Sequence, residues 1–202
     1  MISGPEPRRR AVLAALLGVA AGPALAEQDI TAPRWDLAGL MEAMAKVRAG
    51  TARFTETRSL QLLSAPLVTS GVLRFAAPDR LEKQTLLPKL GLLAVTGDQL
   101  LVEQQGQPSR TISLRDAPEI AGLVAALRAT LVGDRSTLER YFAVTLSGPR
   151  TGWQLELTPR DGRMAKLVAS IRISGSFDRL QSVVTLEDGG DRSELTIMAE
   201  PG

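Results

Sequence analysis

The chain contains neither cysteine nor histidine. Without cysteine there is no disulfide framework, so the core alone has to hold the fold. Without histidine, the side chain most used for acid–base work near neutral pH and the commonest metal ligand are both missing. Serine-histidine and cysteine-histidine nucleophilic arrangements are excluded with it. The sequence also lacks a Gly-x-Ser-x-Gly elbow, metal-ligand spacing and a glycine-rich phosphate loop. Asp188 and Asp191 flank Gly189-Gly190 and read as hairpin-turn chemistry rather than as metal ligands. No catalytic residue, metal or cofactor is therefore expected.

A basic excess is missing too, once the N-terminus is set aside. Arg8-Arg9-Arg10 precede an apolar run from Ala11 to Ala26 that ends in Ala24-Leu25-Ala26 before Glu27. A basic stretch, a short apolar core and small residues three and one before a junction describe a secretory signal peptide, cleaved after Ala26. The run is broken by Gly22-Pro23 and is short for a span of roughly 20 apolar residues. The arginines do not separate twin-arginine from general export. Taking three arginines and one glutamate from totals of 24 basic and 22 acidic residues leaves 21 of each in residues 27–202. A formally neutral chain does not carry the footprint of a nucleic-acid binder. Its length suits one domain in the periplasm, and with no cysteine after the junction it lacks a lipid-anchoring site.

Leu37, Leu40, Met41, Met44 and Val47 recur at helical spacing after Asp36 and before Gly50, which predicts a first helix over 36–48. The period then switches to two. Strands are predicted at 53–63, 67–76, 80–87, 91–96, 99–104 and 109–115. Pro118 opens a second helical run through Ile120, Leu123, Val124, Leu127 and Leu131 to Gly133, and Asp134 caps a shorter helix. Strands resume at 142–147, 152–158, 166–174, 179–187 and 192–198. Connections this short rule out parallel crossovers. The expectation is an α+β fold: one large, strongly curved antiparallel sheet of about 10–11 strands, a half-barrel, with the N-terminal helix and an inserted helical lid on its concave face. Leucine pairs at 62–63, 86–87, 92–93 and 100–101 put one apolar side chain on each strand face, so either both faces are partly covered or one is apolar for a purpose. Glu56 and Arg58 could pair across a sheet face.

Three stretches carry a resemblance. They are Ala52-Arg53-Phe54-Thr55-Glu56 after the first helix, Gly71-Val72-Leu73-Arg74-Phe75-Ala76-Ala77-Pro78, and Leu92-Leu93-Ala94-Val95-Thr96-Gly97-Asp98 leading into Leu100-Leu101-Val102. With the element order, they make nearly all of the mature chain resemble the periplasmic lipoprotein carriers of the LolA/LolB type, as a divergent member. The resemblance implies a carrier or chaperone that holds acyl chains of lipoproteins, or another lipid, in an apolar half-barrel for transfer toward the outer membrane. It implies a releasing partner at the inner membrane, an accepting partner at the outer membrane, and no cofactor. A monomer is expected. Leu73, Phe75, Leu81, Leu93, Val95, Leu100, Val102 and Leu155 become the candidate cavity lining, and Ile120, Leu123, Val124 and Leu127 the lid. Aliphatic lining suffices, at roughly 0.8 kcal/mol per buried methylene. That family often has a basic residue before the motif proline that helps hold the lid closed; here Ala77 stands there. Strand parity puts Lys83 with Leu81 and Thr85, as a candidate headgroup contact. Two other classes stay open at this point: a protein-interaction or sensor module on the same half-barrel, extending a sheet edge, and an enzyme on envelope lipids, for which Lys83 is the one charged candidate.

Overall fold

The computed structural model describes residues 35–199; the leader read in residues 1–26 lies outside them. The elements are α1 (Leu37–Ala45), β1 (Ala49–Ser59), β2 (Leu67–Ala76), β3 (Arg80–Leu87), β4 (Gly91–Thr96), β5 (Gln99–Gln104), β6 (Arg110–Ser113), α2 (Pro118–Val132), α3 (Arg135–Tyr141), β7 (Phe142–Ser147), β8 (Trp153–Pro159), α4 (Gly162–Ala165), β9 (Ser170–Ser176), β10 (Arg179–Leu186) and β11 (Arg192–Ala199). All eleven strands join one antiparallel sheet in the order β6-β5-β4-β3-β2-β1-β11-β10-β9-β8-β7. It does not close, and β6 and β7 remain its edges. No helix of the described residues is long and apolar enough to cross a membrane.

Local chemistry explains most boundaries. Asp36 caps α1 by accepting from the Gly39 N–H at 2.9 Å, and the Asp134 carboxylate accepts from the Thr137 N–H at 3.0 Å to start α3. Gly133 ends α2 with φ 73°, and a Cβ there would stand 2.1 Å from the Met41 carbonyl oxygen. Only glycine allows both the left-handed turn and the close approach of α1.

Two predicted boundaries move. The first helix stops at Ala45 instead of running to Arg48, and Gly50, read as its stop signal, already pairs with Phe75 in the sheet. The first strand is accordingly 49–59, so Leu62 and Leu63 sit in a turn, where the two-face argument does not apply. Farther on, Asp161 does more than turn the chain. Its carboxylate accepts from the Arg163 and Met164 N–H groups and starts α4, which buries Met164 and delays the next strand to Ser170.

The core lies on one sheet face. A large cluster joins Leu40, Met41 and Met44 of α1 and Ala126 and Ala129 of α2 to Trp153, Leu155, Leu157 and Ile173 of β8 and β9. A second joins Leu81 of β3, Val95 of β4 and Leu114, with Ile120 and Val124 of α2 packed on it. Leu131 packs against both clusters. Strands β4 and β8 are seven positions apart in the sheet, about 34 Å if it were flat. A helix is only about 11 Å across, so the sheet curls around α2 and α1. The opposite face carries cross-strand charge pairs, including Arg74 with Glu82 and Arg172 with Glu156.

Leu155 is fully buried while Leu62 is 98% exposed. Leu155→Ala should therefore cost about 2–5 kcal/mol of unfolding free energy in urea titrations. Leu62→Ala should stay within about 0.5 kcal/mol of the parent.

Candidate functional site

Strand register settles which predicted residues share a face. Phe75 pairs with Leu81, Leu81 with Val95 and Val95 with Leu100. One step along the strands, Leu73 pairs with Lys83, Lys83 with Leu93 and Leu93 with Val102. Seven of the eight candidate lining residues thus form two adjacent rows on the inner face of β2–β5. Leu155 lies on the same face through the pairs Glu56–Leu195, Leu195–Val183, Val183–Ile173 and Ile173–Leu155. It sits apart from the others, sealed in the large cluster beneath the helices. Leu81 and Val95 are buried, whereas Leu93 is 42% exposed, beyond the reach of α2.

The candidate lid residues divide. Ile120 and Val124 pack on the Leu81–Val95–Leu114 cluster, and Leu123 turns toward the large cluster. Leu127 is 38% exposed and joins neither. The most buried side of α2 is made of small residues instead: Gly122, Ala126, Ala129 and Thr130. A Cβ on Gly122 would meet Met164 at 3.0 Å. The Thr130 hydroxyl donates to the Ala126 carbonyl at 2.9 Å, which removes the cost of burying it.

Arg128 went unread in the sequence, although it is the only basic residue between Pro118 and Val132. It donates from one terminal nitrogen to the Asp79 carbonyl at 2.8 Å and to the Gly97 carbonyl at 2.6 Å. These carbonyls belong to the β2–β3 and β4–β5 turns. The Asp79 carboxylate in turn accepts from the Gly97 N–H at 3.1 Å. The helix is therefore tied to the sheet at two tight turns, from its own side, where Ala77 before Pro78 can offer no donor.

The motif residues on β1 and β2 meet directly, Phe54 opposite Gly71 and Ala52 opposite Leu73. Between them lies a polar network. The Lys83 ammonium donates to Glu56 Oε2 and rests 5.1 Å from the centre of the Phe54 ring. Thr69 donates to Glu56 Oε2 at 3.3 Å, and Ser193 to Oε1 at 2.7 Å. The expected Glu56–Arg58 pair is not what forms: Arg58 bonds Glu187 at 3.2 Å, while Lys83 reaches Glu56 from two strands away. Gly71 keeps that path open. A Cβ there would lie 1.9 Å from the Gln84 carbonyl oxygen and 3.0 Å from Phe54.

Burial by itself would push the Glu56 carboxyl upward. The hydrogen bond and charge of Lys83, the Ser193 hydroxyl and the charge of Arg58 outweigh it and hold Glu56 below the ordinary glutamate value. The network is then a charge pair held by hydroxyls, at the edge of the apolar rows. Among the described residues, no group of three acidic or other ligating side chains comes together to hold a metal. A cavity of about 450 Å³ is lined by Thr51, Arg74, Arg80 and Glu82 among others, carries charges of both signs, and shares Phe75 with the apolar rows described above.

Because its folded pKa is lowered, Glu56 adds stability at pH values above the ordinary glutamate pKa of about 4.3, and that contribution is lost as pH falls through the folded value. Glu56→Gln should therefore destabilise the protein by about 1–3 kcal/mol near neutrality. The gap to the parent should narrow as urea titrations are moved to acid pH.

The sequence matches the family model described as outer membrane lipoprotein carrier protein LolA-like over residues 31–200. Among solved structures, the chain is similar to a LolA superfamily protein from Nitrosomonas europaea. Identity is 10% and the TM-score 0.39, with 81% of this chain and 93% of that chain covered. It is also similar to a chain of the MucA/MucB complex of Pseudomonas aeruginosa, at 16% identity and a TM-score of 0.35, covering 83% of this chain and 59% of that one. No curated protein matches. Structural scores this low leave the assignment to the family match.

Proposed function

The chain belongs to the family of LolA-like outer membrane lipoprotein carrier proteins, and from that premise we propose that it carries an acyl chain in the inner face of β2–β5 rather than catalysing a reaction. One observation supports this most: two adjacent rows, Phe75–Leu81–Val95–Leu100 and Leu73–Lys83–Leu93–Val102, apolar except for Lys83, lie under and just beyond a single helix. Side chains packed on a fixed core would need no such uncovered margin as Leu93. An acyl chain laid along the rows takes the contacts that Ile120 and Val124 make when α2 is down. Each methylene transferred from water to that surface contributes roughly 0.8 kcal/mol.

Carriage requires release. The two carbonyl contacts of Arg128 hold α2 to the turns without sealing it there by apolar area alone. A charged donor bonded to two main-chain oxygens contributes about 1.5–3 kcal/mol per bond, an amount a partner protein could exchange for its own contacts. The charge-balanced residues 27–202, with residues 1–26 removed on export, would act in the periplasm between a releasing and an accepting membrane partner.

Native mass spectrometry of protein gently purified from envelope extract should show a bound acyl ligand, and the polypeptide should begin at Glu27. Recovery of ligand-free protein alone, with no uptake of added lipid, would overturn the carrier reading. In Arg128→Met, a fluorescent fatty-acyl probe should dissociate about tenfold faster or more, with the fold intact by circular dichroism.

A further inference from the structure

The inner face changes character at one residue. On the α2 side of Lys83 the row reads Phe75, Leu81, Val95 and Leu100 across four strands. On the other side the row reads Gly71, Thr85, Gly91 and Gln104, which is small and polar. Lys83 itself stands between Leu73 and Leu93. The surface is thus apolar where α2 packs on it and polar on the other side of Lys83, with a cation on the border.

That cation is not spent. An ammonium has three N–H donors, and among the described residues the Lys83 ammonium makes one hydrogen bond, to Glu56. Its side chain remains 24% exposed, against 12% for Glu56. Glu56, by contrast, receives Lys83, Thr69 and Ser193 on its two oxygens. What the network still offers a ligand is therefore donors on a positive charge and not a carboxylate. The Phe54 ring beneath the ammonium and the Glu56 partner hold it at the border instead of letting it swing out to water. A hydrocarbon laid over this spot would bury a cation with unmet donors, which is costly. A ligand ending there in an acceptor of opposite charge meets them.

We infer that the concave face takes an amphiphile with an anionic oxygen head, the head on Lys83 and the chain running from there across Leu81 and Val95, where it replaces the contacts of Ile120 and Val124 of α2. This rests on the carrier reading and narrows it: it names the class of ligand and the direction in which it lies. Carboxylate and phosphate share the required chemistry.

The test is competitive displacement of a fluorescent acyl probe by three ligands of equal chain length, assayed above the pKa of the fatty acid: the fatty acid, its methyl ester and the corresponding lysophosphatidic acid. The wild type should bind at least one anionic ligand more tightly than the ester. Lys83→Met should lose about tenfold in affinity for that ligand and leave the ester unchanged, and Lys83→Arg should restore most of the loss. Which of the two anions responds identifies the source of the head. Equal affinity of the wild type for ester and anions, or an equal loss for both in Lys83→Met, overturns the inference while the carrier reading stands. Failure of the probe and of all three ligands to bind the wild type overturns both. Circular dichroism and urea titration check separately that Lys83→Met and Lys83→Arg are folded before binding is compared.

Discussion

Among the described residues, eleven antiparallel strands present one apolar face that four helices must cover. Everything else follows from how that is done. A flat sheet of this width could not be served by α1 and α2, so the sheet curls until β4 and β8 both reach the same helical layer. Close approach then becomes the limiting requirement. Gly122, Ala126, Ala129 and Gly133 let α2 settle against Met164, the sheet and the backbone of α1. Larger residues at these positions would hold the layers apart and leave voids that nothing in a chain without disulfides could compensate.

Covering is uneven, and the proposed site lies where it is thinnest. The β7–β9 half is filled by the side chains of α1, α2 and α4. The β2–β5 half is roofed only by one flank of α2, held by Arg128 through main-chain carbonyls. Carbonyls are there whatever side chains the turns bear, so the tie depends on one residue of the helix. It also explains how a chain with alanine before Pro78 can still fasten its helix.

The Lys83–Glu56 pair is the exception within an apolar face. Removing two charges from water is expensive, and their attraction repays it only with good geometry and further hydrogen bonds. Thr69 and Ser193 supply those bonds. With them, Glu56 stays ionised within the sheet and adds to stability above its lowered pKa.

Much of this was legible beforehand. Period-two patterning and turn residues marked β2 through β5 to the residue, because each hairpin there is bounded by Pro, Gly or Asp. Parity placed Lys83 with Leu81 and Thr85, since the pleat alternates regardless of what the strand packs against, and strand register puts seven of the residues that the resemblance implied on that face. The small-residue face of α2 was not legible, because a search for helical stripes weighs large apolar side chains and passes over Gly122 and Ala126. Nor was the partner of Glu56: Arg58 is nearer in sequence, but register and the side-chain-free gap at Gly71 bring Lys83 to it. By itself the sequence determined the element types apart from α4, the faces of the strands and the absence of cysteine and histidine chemistry, all of which depend on local pattern and composition. Only the tertiary structure decided which apolar rows stay open, what fastens α2, and which charge Glu56 meets, because each depends on residues brought together from strands and turns far apart in the chain.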